Sequence, residues 1–254
     1  AKQNNKFEDE IGNGNENSEE VYNSIINLLI NKFGLPSLHA AVRLNNVPAI
    51  GYHLFSPFSP FKGKLDTLSQ YRKSSPLHIA AALGNYQICH SLIQCGCSTN
   101  LVDENGFCPL ELSVIANSIE TVSVLIPYSS PEQLAKATFI AADLSHQAIL
   151  DMLLLSPELS SSAVDEKSLD SILIRLIKRK MYKTACKFLS ERGNKIDISH
   201  KDSEGATALH YAAAIPQGEN PNPIIPILLM PSSHKLIEVQ DNEGMTPLFY
   251  SIRA

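Results

Sequence analysis

The sequence predicts an all-α fold in which pairs of helices are repeated along the chain. A short motif, clearest at Ser75–His78 as Ser-Pro-Leu-His, recurs several times. The motif leucines Leu77 and Leu110 lie 33 residues apart, and Leu209 follows Leu110 after three times that spacing. An Asp-x-x-Gly turn pattern precedes three of the copies. A fixed period of this length indicates that each repeat is one supersecondary element stacked on the next.

Each copy of the motif carries signals that begin a helix. Ser75, Thr207 and Thr246 stand where an N-cap hydroxyl accepts hydrogen bonds from the first free backbone N–H groups. Proline follows at Pro76 and Pro247, the first helical position, where a missing N–H costs little. Alanine pairs next to the motif let this helix approach its neighbour closely. The motif leucines, which we expect in the core, are Leu38, Leu77, Leu110, Leu209 and Leu248.

The ends of the first helices and the turns between repeats are also marked. Gly84 ends one first helix, and Asn45 and Asn117 take the same place, because both residue types tolerate a left-handed backbone. Apolar spacing then predicts a second helix, with Ile88 and Leu92 facing the core. In the turns, glycine supplies the positive φ. The turns are predicted at Asp103–Gly106, Asp202–Gly205 and Asp241–Gly244.

These residues resemble the ankyrin-repeat family, whose repeat of about 33 residues carries a Thr-Pro-Leu-His-x-Ala signature. The resemblance covers roughly residues 34–254 in about seven repeats. Two further repeats fit between Leu110 and Leu209, at Ala137–Leu154 and, as a poorer match, at Leu173–Leu189. Both lack the cap, proline and histidine. The resemblance implies an all-α solenoid of stacked antiparallel helix pairs joined by hairpin-like loops.

The chain divides into three predicted parts. Residues 1–17 are rich in Asn, Glu and Gly, so we expect a disordered polar tail. Residues 18–33 have a helical apolar face and are expected to form a capping helix. Residues 34–254 are the repeat domain. Its last motif breaks off at the end of the sequence, which we interpret as truncation of a longer protein.

Composition narrows the classes of partner and location. The net charge of −5 gives no basic field for nucleic acid, and the apolar runs are too short for a membrane span. Five cysteines without dense spacing favour a reducing compartment, so a cytoplasmic location is expected. Degenerate ankyrin repeats with an Asn-rich tail also resemble effectors that intracellular bacteria deliver into host cells.

Candidate catalytic and metal-binding residues have simpler interpretations. His39, His78 and His210 occupy one motif position, and the resemblance implies that this histidine ties its helix start to neighbouring backbone groups. Cys95-x-Cys97 has no second cysteine pair to complete a zinc site, so Cys97 is interpreted as a packed thiol. The sequence contains no P-loop, dinucleotide fingerprint or nucleophile elbow. We therefore expect no enzyme activity, cofactor or metal.

The resemblance implies that a partner protein binds along the hairpin tips and the exposed positions of the first helices. One first-helix position is Ile115, and Ala214 is another. The tip positions are Glu104, Asn105, Phe107, Ser203, Glu204, Asn242, Glu243 and Met245.

A basic segment from Arg175 to Lys195 contains one acid, Glu191. It is either a solvated face of a degenerate repeat or a docking site for an acidic partner surface. In the second case Arg175, Arg179, Lys183 and Lys187 are the expected contacts, although a turn near Lys180 would divide them between two helices.

The phenylalanine-rich insertion at residues 55–61 also has two interpretations, a loop packed onto the first repeats or an exposed apolar patch. The predicted function is a protein-interaction module of a larger intracellular protein. The alternative is the substrate-recruiting region of an enzyme whose catalytic domain lies outside this sequence.

Overall fold

The structure of the protein is a computed structural model, and the chain divides into two compact units, Ala1–Pro109 and Leu110–Ala254. The predicted tail, 1–17, lies outside the described residues. So does the predicted capping helix, 18–33, apart from Ser24, which is helical. The residues described are 24, 37–55, 65–70, 72–157, 159, 166–215, 223–229 and 231–253.

In the first unit, two helix pairs follow one another along the chain. The first helix of each pair packs on its own partner, and the two first helices also pack together. Leu38 and Leu77 of the motif are completely buried, as expected. The second helix of the second pair buries Ile88 and Leu92, also as expected. The helices are α1 (Ser37–Arg43), α2 (Val47–Phe55), α3 (Pro76–Ala82) and α4 (Tyr86–Gln94).

The remaining helices continue the same alternation. They are α5 (Pro109–Ile115), α6 (Ile119–Leu125), α7 (Pro131–Asp143), α8 (Gln147–Leu155), α9 (Glu166–Lys178), α10 (Tyr182–Arg192), α11 (Ala208–Ala213), α12 (Ile224–Leu228) and α13 (Pro247–Arg253). In the second unit the first helices α7, α9, α11 and α13 pack each on the next. The second helices α6 and α8 pack together, as do α10 and α12. Every element of regular secondary structure within the described ranges is helical, so the all-α prediction is confirmed.

The motif leucines of the second unit differ in how deeply they are buried. Leu110 and Leu209 are buried as expected. The core prediction was wrong for Leu248, whose side chain is 64% exposed. Leu248 lies on α13, the last helix described, which packs mainly against α11.

The helix-start prediction is confirmed at Ser75. The N–H of His78 donates to Ser75 Oγ at 3.4 Å, and the Ser75 N–H donates back to His78 Nδ1 at 3.2 Å. Pro76 occupies the first helical position. The cap and the motif histidine therefore act together to fix the first turn of α3.

Five first helices end in the same backbone geometry. At Gly84 the N–H donates to the carbonyl of Ala81, and the next N–H, of Asn85, donates to that of Ala80, both at 3.0 Å. This is a Schellman motif, which requires a left-handed residue. The prediction for Gly84, Asn45 and Asn117 is confirmed. Ser145 and Lys180 were not predicted, and the φ values of all five residues lie between 53° and 68°.

The fourth repeat, at Ala137–Leu154, has the helix cap and proline that it was predicted to lack. Its first helix, α7, has an N-cap serine, Ser130, and a proline at its first position, Pro131. The N–H of Gln133 donates to Ser130 Oγ at 3.3 Å, and Gln133 Oε1 accepts the Ser130 N–H at 2.9 Å. The cap lies about two turns ahead of the expected position because α7 has 13 residues, whereas α3 has 7.

The phenylalanine-rich insertion falls largely outside the described residues. For the segment 55–61 only Phe55 is described, and its side chain is 72% exposed at the end of α2.

Candidate partner-binding surface

The aspartate of each Asp-x-x-Gly pattern holds its hairpin tip in shape. Oδ1 of Asp241 accepts the N–H groups of Glu243 and Met245, both at 2.9 Å. Gly244 has a φ of 78°, and its N–H donates to the carbonyl of Asp241. The same bonds form at Asp103 and Asp202. The turn prediction is therefore confirmed at all three tips.

The turn aspartates fix the backbone of the tips, and most of the tip side chains face solvent. The half-buried tip side chains are Phe107 and Met245, and the exposed ones are Glu104, Asn105, Ser203, Glu204, Asn242 and Glu243. Ile115, the predicted first-helix position, is 43% exposed on α5. These positions are accessible as predicted, and whether a partner contacts them stays a prediction.

The motif histidines connect each helix start to the next hairpin tip. His210 Nδ1 accepts the Thr207 N–H at 3.0 Å, and its Nε2–H donates to the carbonyl of Met245 at 3.2 Å. His78 does the same for Ser75, and its Nε2–H donates to the carbonyl of Phe107 at 3.2 Å. These hydrogen bonds confirm the structural role that the resemblance implied.

His39 makes the corresponding bond one repeat earlier, from Nε2–H to the carbonyl of Ser74 at 2.9 Å. Its side chain is completely buried, and burial lowers its pKa to about 4. Burial also lowers the pKa values of His78 and His210. All three rings are therefore neutral at pH 7, as a single N–H donor at Nε2 requires.

A lysine, two acids and a tyrosine form a cluster at the tip of the sixth repeat. Lys178 Nζ lies 2.8 Å from Oδ2 of Asp202, 3.9 Å from Oε1 of Glu204 and 4.2 Å from the ring centre of Tyr211. The Tyr211 hydroxyl lies within 2.9 Å of both acids. We call Asp202, Glu204 and Tyr211 the first acid–tyrosine site. It holds a cation through two carboxylates and an aromatic face.

The ionisation of this site follows from those contacts. Burial alone would raise the pKa of Asp202, but the hydrogen bonds from Lys178 and Tyr211 outweigh it and lower that pKa. Burial and the two carboxylates raise the pKa of Tyr211. At neutral pH Asp202 is therefore charged and the Tyr211 hydroxyl is a donor.

The seventh repeat has a second acid–tyrosine site, formed by Asp241, Glu243 and Tyr250. The Tyr250 hydroxyl donates to Asp241 Oδ2 at 2.7 Å, and this bond lowers the pKa of Asp241. Beside the site lies a cleft of about 250 Å³. Its lining residues are Ala214, Asp241, Glu243, Met245, Phe249, Tyr250 and Arg253.

The cleft combines predicted and missed residues. Glu243, Met245 and Ala214 were predicted from their repeat positions, whereas Phe249 and Tyr250 were not. One signal could have found the tyrosines, because Tyr211 and Tyr250 each follow the turn aspartate of their repeat by nine residues.

Comparison with known proteins identifies the repeat. A family model described as ankyrin repeats (3 copies) matches residues 15–136 and 77–165, together more than half of the chain. The chain belongs to the ankyrin-repeat family. No curated protein matches it in sequence.

Solved ankyrin-repeat domains share the fold. The ankyrin repeat domain of Bcl-3, described as a member of the IkappaB protein family, is 20% identical, with a TM-score of 0.64. That match covers 86% of this chain and 94% of the Bcl-3 chain. The human ASB11 ankyrin repeat domain is 17% identical with a TM-score of 0.58, covering 84% and 90% of the two chains. At these identities the similarity establishes the fold alone.

The basic segment of this ankyrin-repeat chain is divided as the sequence suggested. Lys180 has a φ of 59° and separates α9 from α10. Asp143 accepts hydrogen bonds from Arg175 at 2.5 Å and from Arg179 at 3.2 Å. The Arg175 guanidinium also lies 5.0 Å from the ring centre of Phe139. Two of the four predicted contacts are therefore already paired within the chain.

The other two predicted cations remain open to solvent. Lys183 and Lys187 are exposed on α10, four residues apart and so on one face. The hydrogen bonds and ion pairs found in the described ranges include none to either side chain. This pair is the part of the basic segment that an acidic partner could neutralise.

The cysteines of these ankyrin repeats are free thiols. Cys97 is buried, as expected for a packed thiol, and burial raises its pKa to about 12. Burial raises the pKa of Cys89 to about 12 as well. Both thiols are therefore protonated and unreactive at neutral pH.

One cluster has the residue types of a hydrolase triad without its geometry. His200 Nε2 lies 3.4 Å from Ser171 Oγ, but His200 Nδ1 is 3.8 Å from Asp170 Oδ2, beyond hydrogen-bond distance. Oδ1 of buried Asp170 instead accepts the N–H of Asp197 at 2.7 Å. The carboxylate thus anchors the chain segment after α10.

No helix among the described residues is long and apolar enough to cross a membrane.

Proposed function

We propose that this chain is a protein-interaction module whose partner binds at the hairpin tips and first helices of its sixth and seventh repeats. Ankyrin repeats are protein–protein interaction modules. The observation that carries the proposal is the cleft of the seventh repeat, which brings Glu243 and Met245 together with Ala214. These three residues were predicted separately, from their repeat positions, as parts of the binding surface.

The cleft has the composition of an interface centre. Phe249 is 52% exposed at its edge, and Met245 lies half-buried beside it. Aromatic and methionine side chains are enriched at the buried centres of interfaces, where a few residues contribute most of the binding free energy. The carboxylates of Asp241 and Glu243 add polar groups that orient a ligand.

The test has two steps. A photo-crosslinking amino acid at Asn242 captures the partner, with the same amino acid at exposed Ser123 on α6 as the control. The affinity of the identified partner is then measured with Met245→Ala and Phe249→Ala, which we expect to weaken binding about tenfold or more. Leu155→Ala, at a half-exposed apolar position on α8, serves as the matched control. Equal affinity of the Met245, Phe249 and Leu155 variants would refute the proposal.

A second candidate is an acidic partner bound at Lys183 and Lys187. The observation in its favour is that these cations are exposed, whereas Arg175 and Arg179 are paired with Asp143. Reversing Lys183 and Lys187 to Glu should slow association and make affinity less dependent on salt. The control is Lys136→Glu, at a cation that pairs with Glu132. If the reversed variant binds as fast as the control, the patch is a solvated surface.

We also propose a reducing, cytoplasmic location, which the five free thiols support. The same binding surface would serve if the partner were the substrate of an enzyme that carries these repeats. Mass-spectrometric identification of the crosslinked partner distinguishes a substrate from a stable binding partner. Delivery into a host cell stays a prediction from the sequence.

A further inference from the structure

The two acid–tyrosine sites occupy equivalent positions in successive repeats. Asp241, Glu243 and Tyr250 each follow their counterparts Asp202, Glu204 and Tyr211 by 39 residues. In both sites the tyrosine hydroxyl bonds to Oδ2 of the turn aspartate, at 2.8 Å in the first and 2.7 Å in the second. In both, Oδ1 of that aspartate accepts two backbone N–H groups of the tip. The two sites therefore have the same residue types and the same bonds at the turn aspartate. They differ in that the Tyr211 hydroxyl also lies 2.9 Å from Glu204, whereas the Tyr250 hydroxyl donates to Asp241.

They differ in what faces them from the preceding repeat. Leu173 corresponds to the motif leucine Leu77, because each precedes the left-handed residue that ends its helix by seven positions. Lys178 lies five residues after Leu173, and its ammonium group fills the first site. The residue five positions after Leu209 is Ala214, which lines the cleft beside the second site. Alanine has no side chain that could reach the carboxylates. The second site thus has a cleft where the first has a lysine.

The second site also has a fixed geometry in which a cation could bind. The Tyr250 ring makes T-shaped contacts with His210 and Tyr211, with ring centres 5.2 and 6.0 Å apart, so its orientation is fixed. Arg253 lines the cleft, yet no ion pair within 4.0 Å joins it to Asp241 or Glu243 in the described part of the chain. Among the described residues, no ion pair or cation–π contact is found at Asp241, Glu243 or the Tyr250 ring, whereas Lys178 fills the first site.

We infer that the second acid–tyrosine site binds a lysine side chain of the partner protein, in the position that Lys178 occupies within the first site. This inference rests on the proposed function, because it names the chemistry of the partner at that surface. The ammonium group lies between Asp241 and Glu243, over the face of Tyr250, and the methylene chain lies along Met245 and Ala214. An acidic side chain would meet two like charges there.

The first experiment uses a defined probe. A peptide with the sequence acetyl-Gly-Leu-Lys-Leu-Gly-amide is titrated into the full chain, and the carbon-13 methyl resonance of Met245 is followed by NMR. The same peptide with acetylated lysine, and one with glutamate in place of lysine, are the matched probes. We expect a saturable shift with the lysine peptide alone, weakened by added salt. Equal titrations with the lysine and acetyl-lysine peptides would overturn the inference.

Variants of the chain distinguish the effect of a positive charge on peptide binding from the effect of side-chain size. Ala214→Lys recreates the arrangement of Lys178, so the chain should occupy its own second site and lose peptide binding. Ala214→Gln introduces a neutral side chain of similar length, and this variant should keep most of the peptide binding. Glu243→Gln, at an exposed position where the substitution leaves the backbone bond to Asp241 intact, should weaken binding up to about fivefold. Equal binding by Ala214→Lys and Ala214→Gln, both folded by circular dichroism, or full binding by Glu243→Gln, would contradict a lysine site.

The same experiments distinguish this inference from the proposed function. If the partner depends on Met245 and Phe249 but the lysine peptide does not bind, the lysine site is wrong and the interaction surface stands. If the peptide binds but the partner is insensitive to Met245→Ala and Phe249→Ala, the lysine site stands alone and the proposed surface is wrong.

Discussion

A Cβ atom added to Gly205 would lie 2.8 Å from the backbone nitrogen of Asn242. The N–H of Asn242 donates to the carbonyl of Glu204 at 3.0 Å, and its side-chain amide donates to that of Ser203 at 3.0 Å. Two successive hairpin tips are thus joined backbone to backbone. Gly205 is required twice, for its φ of 76° and for the space that its missing side chain leaves.

Gly205→Ala should therefore destabilise the chain more than a turn glycine without a close neighbour. The control is Gly106→Ala, where φ is 80° and a Cβ would meet nothing within 4 Å. Left-handed strain costs each variant about 1–2 kcal/mol. The contact with Asn242 adds to that cost for Gly205 alone. Equal urea midpoints for the two variants would show that the tips separate easily.

His78→Ala should lower the free energy of unfolding by about 1–3 kcal/mol. The substitution removes the bond to the carbonyl of Phe107 and leaves the buried N–H of Ser75 without its acceptor. The control is His90→Ala, because His90 is exposed on α4. Thermal unfolding followed by circular dichroism measures both, and a His78 variant as stable as the control would contradict the structural role.

Stability should fall as the pH drops from about 6.5 to 4. Burial lowers the pKa of His39 to about 4, below the 6.5 of an exposed histidine. The unfolded chain then binds more protons between these values, so stability present above pH 6.5 is lost as the pH falls. His39 alone accounts for up to about 3 kcal/mol, and His78 and His210 shift in the same direction.

The matched variant for this pH dependence is His39→Gln, which keeps an N–H donor for the carbonyl of Ser74 but cannot be protonated. Urea unfolding at pH 7 and pH 4.5 should show a smaller difference for the variant. The lowered pKa values of Asp202 and Asp241 remove stability only below about pH 4. An unchanged difference between the two pH values would exclude His39 as a source.

Ser130→Ala should cost about 1 kcal/mol, the usual effect of losing an N-cap. The substitution removes the acceptor of the Gln133 N–H at the start of α7. Ser123→Ala is the comparison, because Ser123 is exposed within α6 and only donates to the carbonyl of Glu120. If both variants unfold at the same temperature, Ser130 does not cap α7.

The repeat architecture could be predicted because the signals at helix ends are local. Ser75 with His78, and Gly84 with Asn45 and Asn117, determine backbone geometry through bonds to residues at most five positions away. Two left-handed helix ends were missed because their residue types gave no signal. Ser145 and Lys180 adopt the left-handed conformation although their residue types do not favour it, because the Schellman bonds around them compensate.

The candidate site was harder to predict because its composition depends on which side chain of the preceding repeat contacts it. The tip positions Glu243 and Met245 could be found by their spacing from the motif. The sequence also showed a cluster of cations around Lys178, but it did not show that Arg175 and Arg179 pair with Asp143. Such pairings depend on distances between helices, which sequence spacing does not contain.

The histidine bonds described above also affect how the chain responds to tension. His39, His78 and His210 each join one first helix to the backbone just before the next motif, and none spans a longer interval. Stretching therefore breaks these bonds one at a time, with each rupture releasing about one repeat. We expect a force–extension curve with regular small steps, in which a stretched chain recovers repeat by repeat as the tension falls.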